Sequence, residues 1–127
     1  MPKILNIVET AYRGTLEEQD DTILWLSHML KNAGADVSVL LRANAVNYAV
    51  RGQDASGLSF GDVKVAHPPE IDKDIEKMIG KGVAVYLVRE DAAERGVWDA
   101  ELISGIKKVA RRELPELFDQ HDQVWHW

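Results

Sequence analysis

Cysteine is absent from the 127 residues, which excludes disulfides, cysteine–zinc sites and thiol chemistry by the chain itself. Long apolar runs are missing too: none approaches the roughly 18 residues that a membrane-spanning helix needs. Positive charge is in deficit. Lys and Arg number 15 against 21 Asp and Glu, and the net charge of −6 argues against broad non-specific nucleic-acid binding. Neither a P-loop nor a GxGxxG fingerprint occurs, so no motif points to a nucleotide. His28, His67, His121 and His126 show no HxH or HxxxH spacing. A metal site would have to assemble from distant segments, and neither a metal nor a cofactor is expected. The opening MPKILNIVE carries one lysine and a short apolar stretch that Glu9 interrupts, which reads as a first strand and not a signal peptide. A cytoplasmic location is consistent with all of this.

What is present is ordinary globular composition, 46% apolar and 28% charged, in a length that suits one domain over residues 1–127. Lys3 to Val8 is the expected first strand. Thr15-Leu-Glu-Glu18 matches a capping box, in which a hydroxyl and a carboxylate satisfy unpaired amides at a helix start. Leu16, Ile23, Leu26, Leu30 and Ala33 then recur at helical spacing, and Gly34 is a natural stop. Asp36 to Leu41 reads as a second buried strand, parallel to the first through a right-handed crossover. Ala43 to Val50 suits a short helix, Gly52 to Gly61 a loop, and Asp62 to Ala66 a minor strand. Ile71, Ile75, Met78 and Ile79 mark a helix after Pro68–Pro69. Val83 to Val88 is a third buried strand that stops at a charged turn, Arg89–Glu90–Asp91. Further on, Asp99 to Ser104 suits a helical turn, Ile106 to Ala110 a weaker strand, and Glu116 to His121 a helix with Pro115 in its first turn. Gln123 to Trp127 closes the series as a fifth strand. Strands alternating with helices imply a single three-layer α/β/α sandwich on a mainly parallel five-stranded sheet.

Four stretches together resemble the DsrE/TusD family of sulfur-relay proteins, which includes the DsrE, DsrF and DsrH subunits. They are Ala11-Tyr12-Arg13-Gly14-Thr15 after the first strand, Leu41 to Asn47 at the exit of the second, Val83 to Val97, and Asp122 to Trp127. In the third, the family has an apolar strand, a cysteine, a small-residue helix and then Arg-Gly. Arg95-Gly96 supplies that pair, and counting eight residues back from Gly96 puts Val88 at the cysteine position. The resemblance implies a parallel five-stranded sheet, a homo-oligomer (dimer, trimer or hexamer) and a DsrE-like or TusA-like protein partner. It also implies persulfide transfer, which does not carry over, because valine has neither a nucleophilic atom nor a titratable proton. Three readings stay open at this point: a member that lost the cysteine, an engineered replacement, or a scaffold put to another use.

Arg13, Arg42 and Arg89 each stand just past an expected strand end. Parallel strands would bring all three to one sheet edge, where ligands collect in open α/β sheets. With Tyr12, Gly14 and Asn47 they form the candidate ligand site, suited to a small anion or nucleotide. The plainer reading pairs each arginine with a nearby carboxylate such as Glu9, Glu17, Glu90 or Asp91. General acid–base work by Glu9 or Glu90–Asp91 lacks a partner nucleophile, so helix capping by Asp91 and ion pairing by Glu90 is the simpler expectation. Trp125 and Trp127 share one face of the last strand and serve either as cover for the sheet or as an oligomer contact. Lys107-Lys108 and Arg111-Arg112 form a short basic group, a solvated surface or a docking point for an acidic partner.

Overall fold

The run KILNIV makes β1 (Lys3–Val8), whose last four residues are buried, and DVSVLL makes β2 (Asp36–Leu41), buried after its first residue. The computed structural model describes residues 2–11, 21–53, 57, 59–64 and 70–127. β5 (Ala84–Val88), β6 (Lys107–Val109) and β7 (Gln123–His126) join the first two strands in one sheet of order β6-β5-β2-β1-β7. Every pairing in this sheet is parallel. Burial on both faces explains why the central strands read as continuous apolar runs.

Helices α1 (Thr22–Asn32) and α2 (Ile71–Gly80) cover one face. In α2 the buried Ile71, Ile75 and Met78 recur at helical spacing, and Asp72 and Asp74 occupy a first turn that favours negative charge. In α1 it is Asp21 that caps the start, accepting from the amides of Ile23 (2.9 Å) and Leu24 (3.2 Å). The capping box expected at Thr15–Glu18 lies outside the described residues. The core on this face includes Val8, Val39, Leu41, Val85 and Leu87, each worth about 1.5–3 kcal/mol on burial. The opposite face carries Leu5, Ile7, Leu40 and Val88 against Leu114 and Leu117 of α4 (Leu114–Asp119). Three layers result, with a single short helix in the third.

Several expectations change in detail. Residues Ala43–Ala49 do form a helix, of the 3-10 type. β3 (Ser59–Phe60) and β4 (Val63–Lys64) pair antiparallel with each other, so the minor strand sits in a separate two-stranded ribbon. The charged Arg89–Glu90–Asp91 is not a turn but the first turn of α3 (Arg89–Glu94), since two carboxylates at a helix start favour continuation. The stretch 99–104 is not a helical turn. Leu102 bridges Val50 antiparallel, and the Ile103 amide donates to the Ala49 carbonyl at 2.9 Å, with Ile103 buried. Its backbone is drawn into that pairing. The fourth strand is shorter than expected, and the last helix starts two residues earlier, with Pro115 in its first turn.

Candidate functional site

The carboxyl ends of all five parallel strands open on one edge of the sheet, and a chain of polar contacts runs along much of it. Glu9, just past β1, stands between Arg42 and His126. Its Oε1 is 3.1 Å from Arg42 Nε, off the N–H axis, and its Oε2 is 3.0 Å from His126 Nε2. β7, β1 and β2 are thereby linked at their exits.

A second group ties β2 to α3 and β6. Asp91 is buried in the first turn of α3, and its Oδ2 accepts the backbone amide of Ala43 at 2.8 Å. Its Oδ1 accepts from the guanidinium of Arg111, which also reaches Glu94 Oε1 at 3.3 Å. The backbone amide of Arg111 donates to Glu90 Oε1 at 2.8 Å. Arg95 Nε donates to Asn44 Oδ1 at 3.0 Å, a further clasp between α3 and the 3-10 helix. Ala43 itself has φ of +51°, a left-handed conformation that costs a residue with a side chain about 1 kcal/mol. The Asp91 carboxylate holds the amide of that strained residue.

These contacts set the electrostatics. Burial works to raise the Asp91 pKa, but the Ala43 amide and the Arg111 guanidinium outweigh it and hold the carboxyl below its ordinary value. Glu90 is also lowered, chiefly by the Arg111 amide. Arg111 is raised in turn by its hydrogen bond to Asp91. The helix capping expected of Asp91 falls at the start of the 3-10 helix 43–49, whose first amide its carboxylate accepts.

Of the residues proposed from sequence, Tyr12, Arg13 and Gly14 lie outside the described residues. Arg42 and Arg89 turn to opposite sides of the edge. Arg42 leans toward Glu9, whereas the Arg89 guanidinium sits 5.8 Å from the centroid of Trp98. Asn47 lies in the 3-10 helix, where its carbonyl accepts from Gln53 Nε2 at 2.6 Å. Val88 is buried, packed on the α4 side with Leu5, Ile7, Leu40 and Leu117. Two cavities open on that face, of about 220 and 210 Å³. Tyr86 and Gln120 line both, and the second reaches the amino edge of the sheet at Lys3 and Asp36. Sequence reasoning missed Arg111 and His126 as members of the strand-end network. The signal for Arg111 was its place just past a strand, the same criterion that selected Arg42 and Arg89.

No family model matches the sequence, and no curated protein matches it either. Solved structures do. The YchN protein from E. coli superposes with a TM-score of 0.78 at 24% identity, with 100% of both chains covered. The chain has the YchN fold. BT1422 from Bacteroides thetaiotaomicron, a conserved protein of unknown function, gives a TM-score of 0.66 at 12% identity over 99% of this chain and 95% of that one. MTH1491 from Methanobacterium thermoautotrophicum, also of unknown function, gives 0.62 at 14% over 98% and 99%. At these identities the likeness carries the fold alone.

Proposed function

We propose that this chain is a non-catalytic DsrE-like protein: a cytoplasmic, oligomeric binding or accessory subunit related to the sulfur-relay proteins, without their sulfur-accepting cysteine. The observation that carries the reading is Val88. It ends a strand that passes directly into a helix, where a thiol would gain from the helix N-terminus, yet it is an apolar side chain packed into the core. No other residue of the chain supplies a thiol. The neighbouring groups also fit a scaffold better than a reaction centre. Glu9 is engaged by Arg42 and His126, and Asp91 by Ala43 and Arg111, so these carboxylates are spent on joining strand ends.

The test is light scattering of the purified protein, followed by calorimetric titration with a purified, cysteine-bearing TusA-like or DsrE-like protein. A discrete oligomer that binds such a partner saturably is the expected result. A monomer that gives no heat with either class overturns the reading.

A further inference from the structure

The basic group at the β6 edge is held over aromatic rings on both faces of the sheet. Lys107 and Lys108 are adjacent in β6, so they project to opposite faces of the sheet. Lys107 lies opposite Tyr86 in the register, and its ammonium is 5.7 Å from the Tyr86 ring centroid, on the α4 face. Lys108 lies opposite Leu87, and its ammonium is 5.0 Å from the Trp98 ring, on the α1–α2 face. Arg89 approaches the same Trp98 ring at 5.8 Å. Arg112 is exposed two residues beyond Ala110.

None of these four cations forms an ion pair with a carboxylate among the described residues. Glu90, whose carboxylate also feels the Arg89 charge, accepts the Arg111 amide, and Glu113 accepts the Ala110 amide, each at 2.8 Å. In a chain of net charge −6, this group concentrates positive charge that no ion pair among the described residues takes up. It also borders an end strand: among the described residues β6 has no neighbour on its outer side, and its outward amides and carbonyls have no sheet partner.

We propose that the β6 edge docks an acidic, extended segment of a partner protein by strand addition. Main-chain hydrogen bonds to 107–109 would set the register of the incoming strand. Its side chains alternate between the two faces, so carboxylates at successive positions meet Lys107 on one face and Lys108 with Arg89 on the other. Trp98 and Tyr86 form the floor on which these cations are held, so their stems are partly ordered before the partner arrives. Lysine on an edge strand also discourages aggregation. That role alone needs neither Arg89 nor the two rings beneath the ammonium groups. The proposal rests on the accessory-subunit reading and names its docking surface.

The probe is a fluorescein-labelled decapeptide of adjacent Glu pairs separated by single Val residues, which puts carboxylates on both faces of an extended strand. It is titrated into the full chain at low salt and followed by anisotropy. Saturable binding is expected. It should weaken by about tenfold or more in the double variant Lys107→Glu/Lys108→Glu, and the amide resonances of residues 107–109 should shift on binding. A milder pair, Lys107→Gln/Lys108→Gln, serves if charge reversal disturbs folding, with circular dichroism as the control. The same peptide N-methylated at every residue keeps its charge but has no edge that can donate to a strand, and should bind about tenfold more weakly. Two outcomes overturn the proposal: no saturable binding to the unmodified chain, or equal binding of the N-methylated peptide. Loss of peptide binding with intact binding of a cysteine-bearing partner would sink this surface and leave the subunit reading standing.

Discussion

The backbone amide of Ala43 donates to the Asp91 carboxylate 48 residues further along the chain, and this contact joins the exit of β2 to the first turn of α3. Two effects meet there. Ala43 is held at a φ of +51°, and the buried Asp91 depends on the Ala43 amide and the Arg111 guanidinium for its charge.

Asp91→Ala should therefore lower stability by about 2–3 kcal/mol, because it orphans a backbone amide and removes a charged acceptor. Arg111→Ala should cost less than that, since its side chain is half exposed. Ala43→Gly should stabilise by up to about 1 kcal/mol by relieving the left-handed backbone. Urea denaturation of the three variants measures all of this.

The same carboxylate predicts a pH dependence. Its folded pKa lies below the unfolded value, so its contribution is complete above the unfolded pKa of about 3.9. That contribution is lost as pH falls through the folded pKa. Asp91→Asn should flatten the acid limb of the stability curve below about pH 5 relative to the unmodified chain. Thermal melts between neutral pH and the acid transition would show it; an unchanged acid limb would contradict the assignment.

Tyr48 and Asp21 make a second long-range pair. The hydroxyl of the fully buried Tyr48 donates to Asp21 Oδ2 at 2.6 Å, while Oδ1 caps α1. Tyr48→Phe should cost about 1–3 kcal/mol by leaving a buried carboxylate short of a donor. A double-mutant cycle with Asp21→Asn should give a coupling of at least about 0.5 kcal/mol.

Val88→Cys would place a thiol in the core with a modest loss of packing, below about 1.5 kcal/mol. The side chain it replaces is 1% exposed, so alkylation of the native protein should be much slower than that of an unfolded-chain thiol. Alkylation faster than that reference would show that the strand end opens and activates the thiol.

Gly105→Ala tests the turn that feeds β6. At a φ of +91° a Cβ would lie 2.9 Å from Ile79 Cγ2, so strain and collision combine. A loss of about 1–3 kcal/mol is expected, and Ile79→Ala should relieve only the collision.

The framework was legible because its signals are local. The apolar runs at 3–8, 36–41 and 83–88 could be read as buried strands, and the spacing of Ile71, Ile75 and Met78 as a helix, without knowing what they pack on. What escaped depends on pairs far apart in sequence. Nothing near Asp91 shows that its partner is the Ala43 amide, or that Arg111 turns inward while Arg112 stays in solvent. Residues 99–104 misled for the same reason. Their short apolar pattern suits a helical turn until Val50 supplies a strand-like partner for Leu102. Arg42 and Arg89 do follow strand ends, but the direction each takes is set by Glu9 and Trp98, which come from other elements.

The position of β7 has a consequence for the order of assembly. Among the described residues β7 pairs only with β1, and their registers join Ile4 to Gln123 and Ile7 to His126. Until residues 123–126 emerge during synthesis, the outer side of β1 is a bare ladder of amides and carbonyls beside an apolar core. Closing it joins segments far apart in sequence, so β1 stays open to pairing with another nascent chain until residues 123–126 arrive.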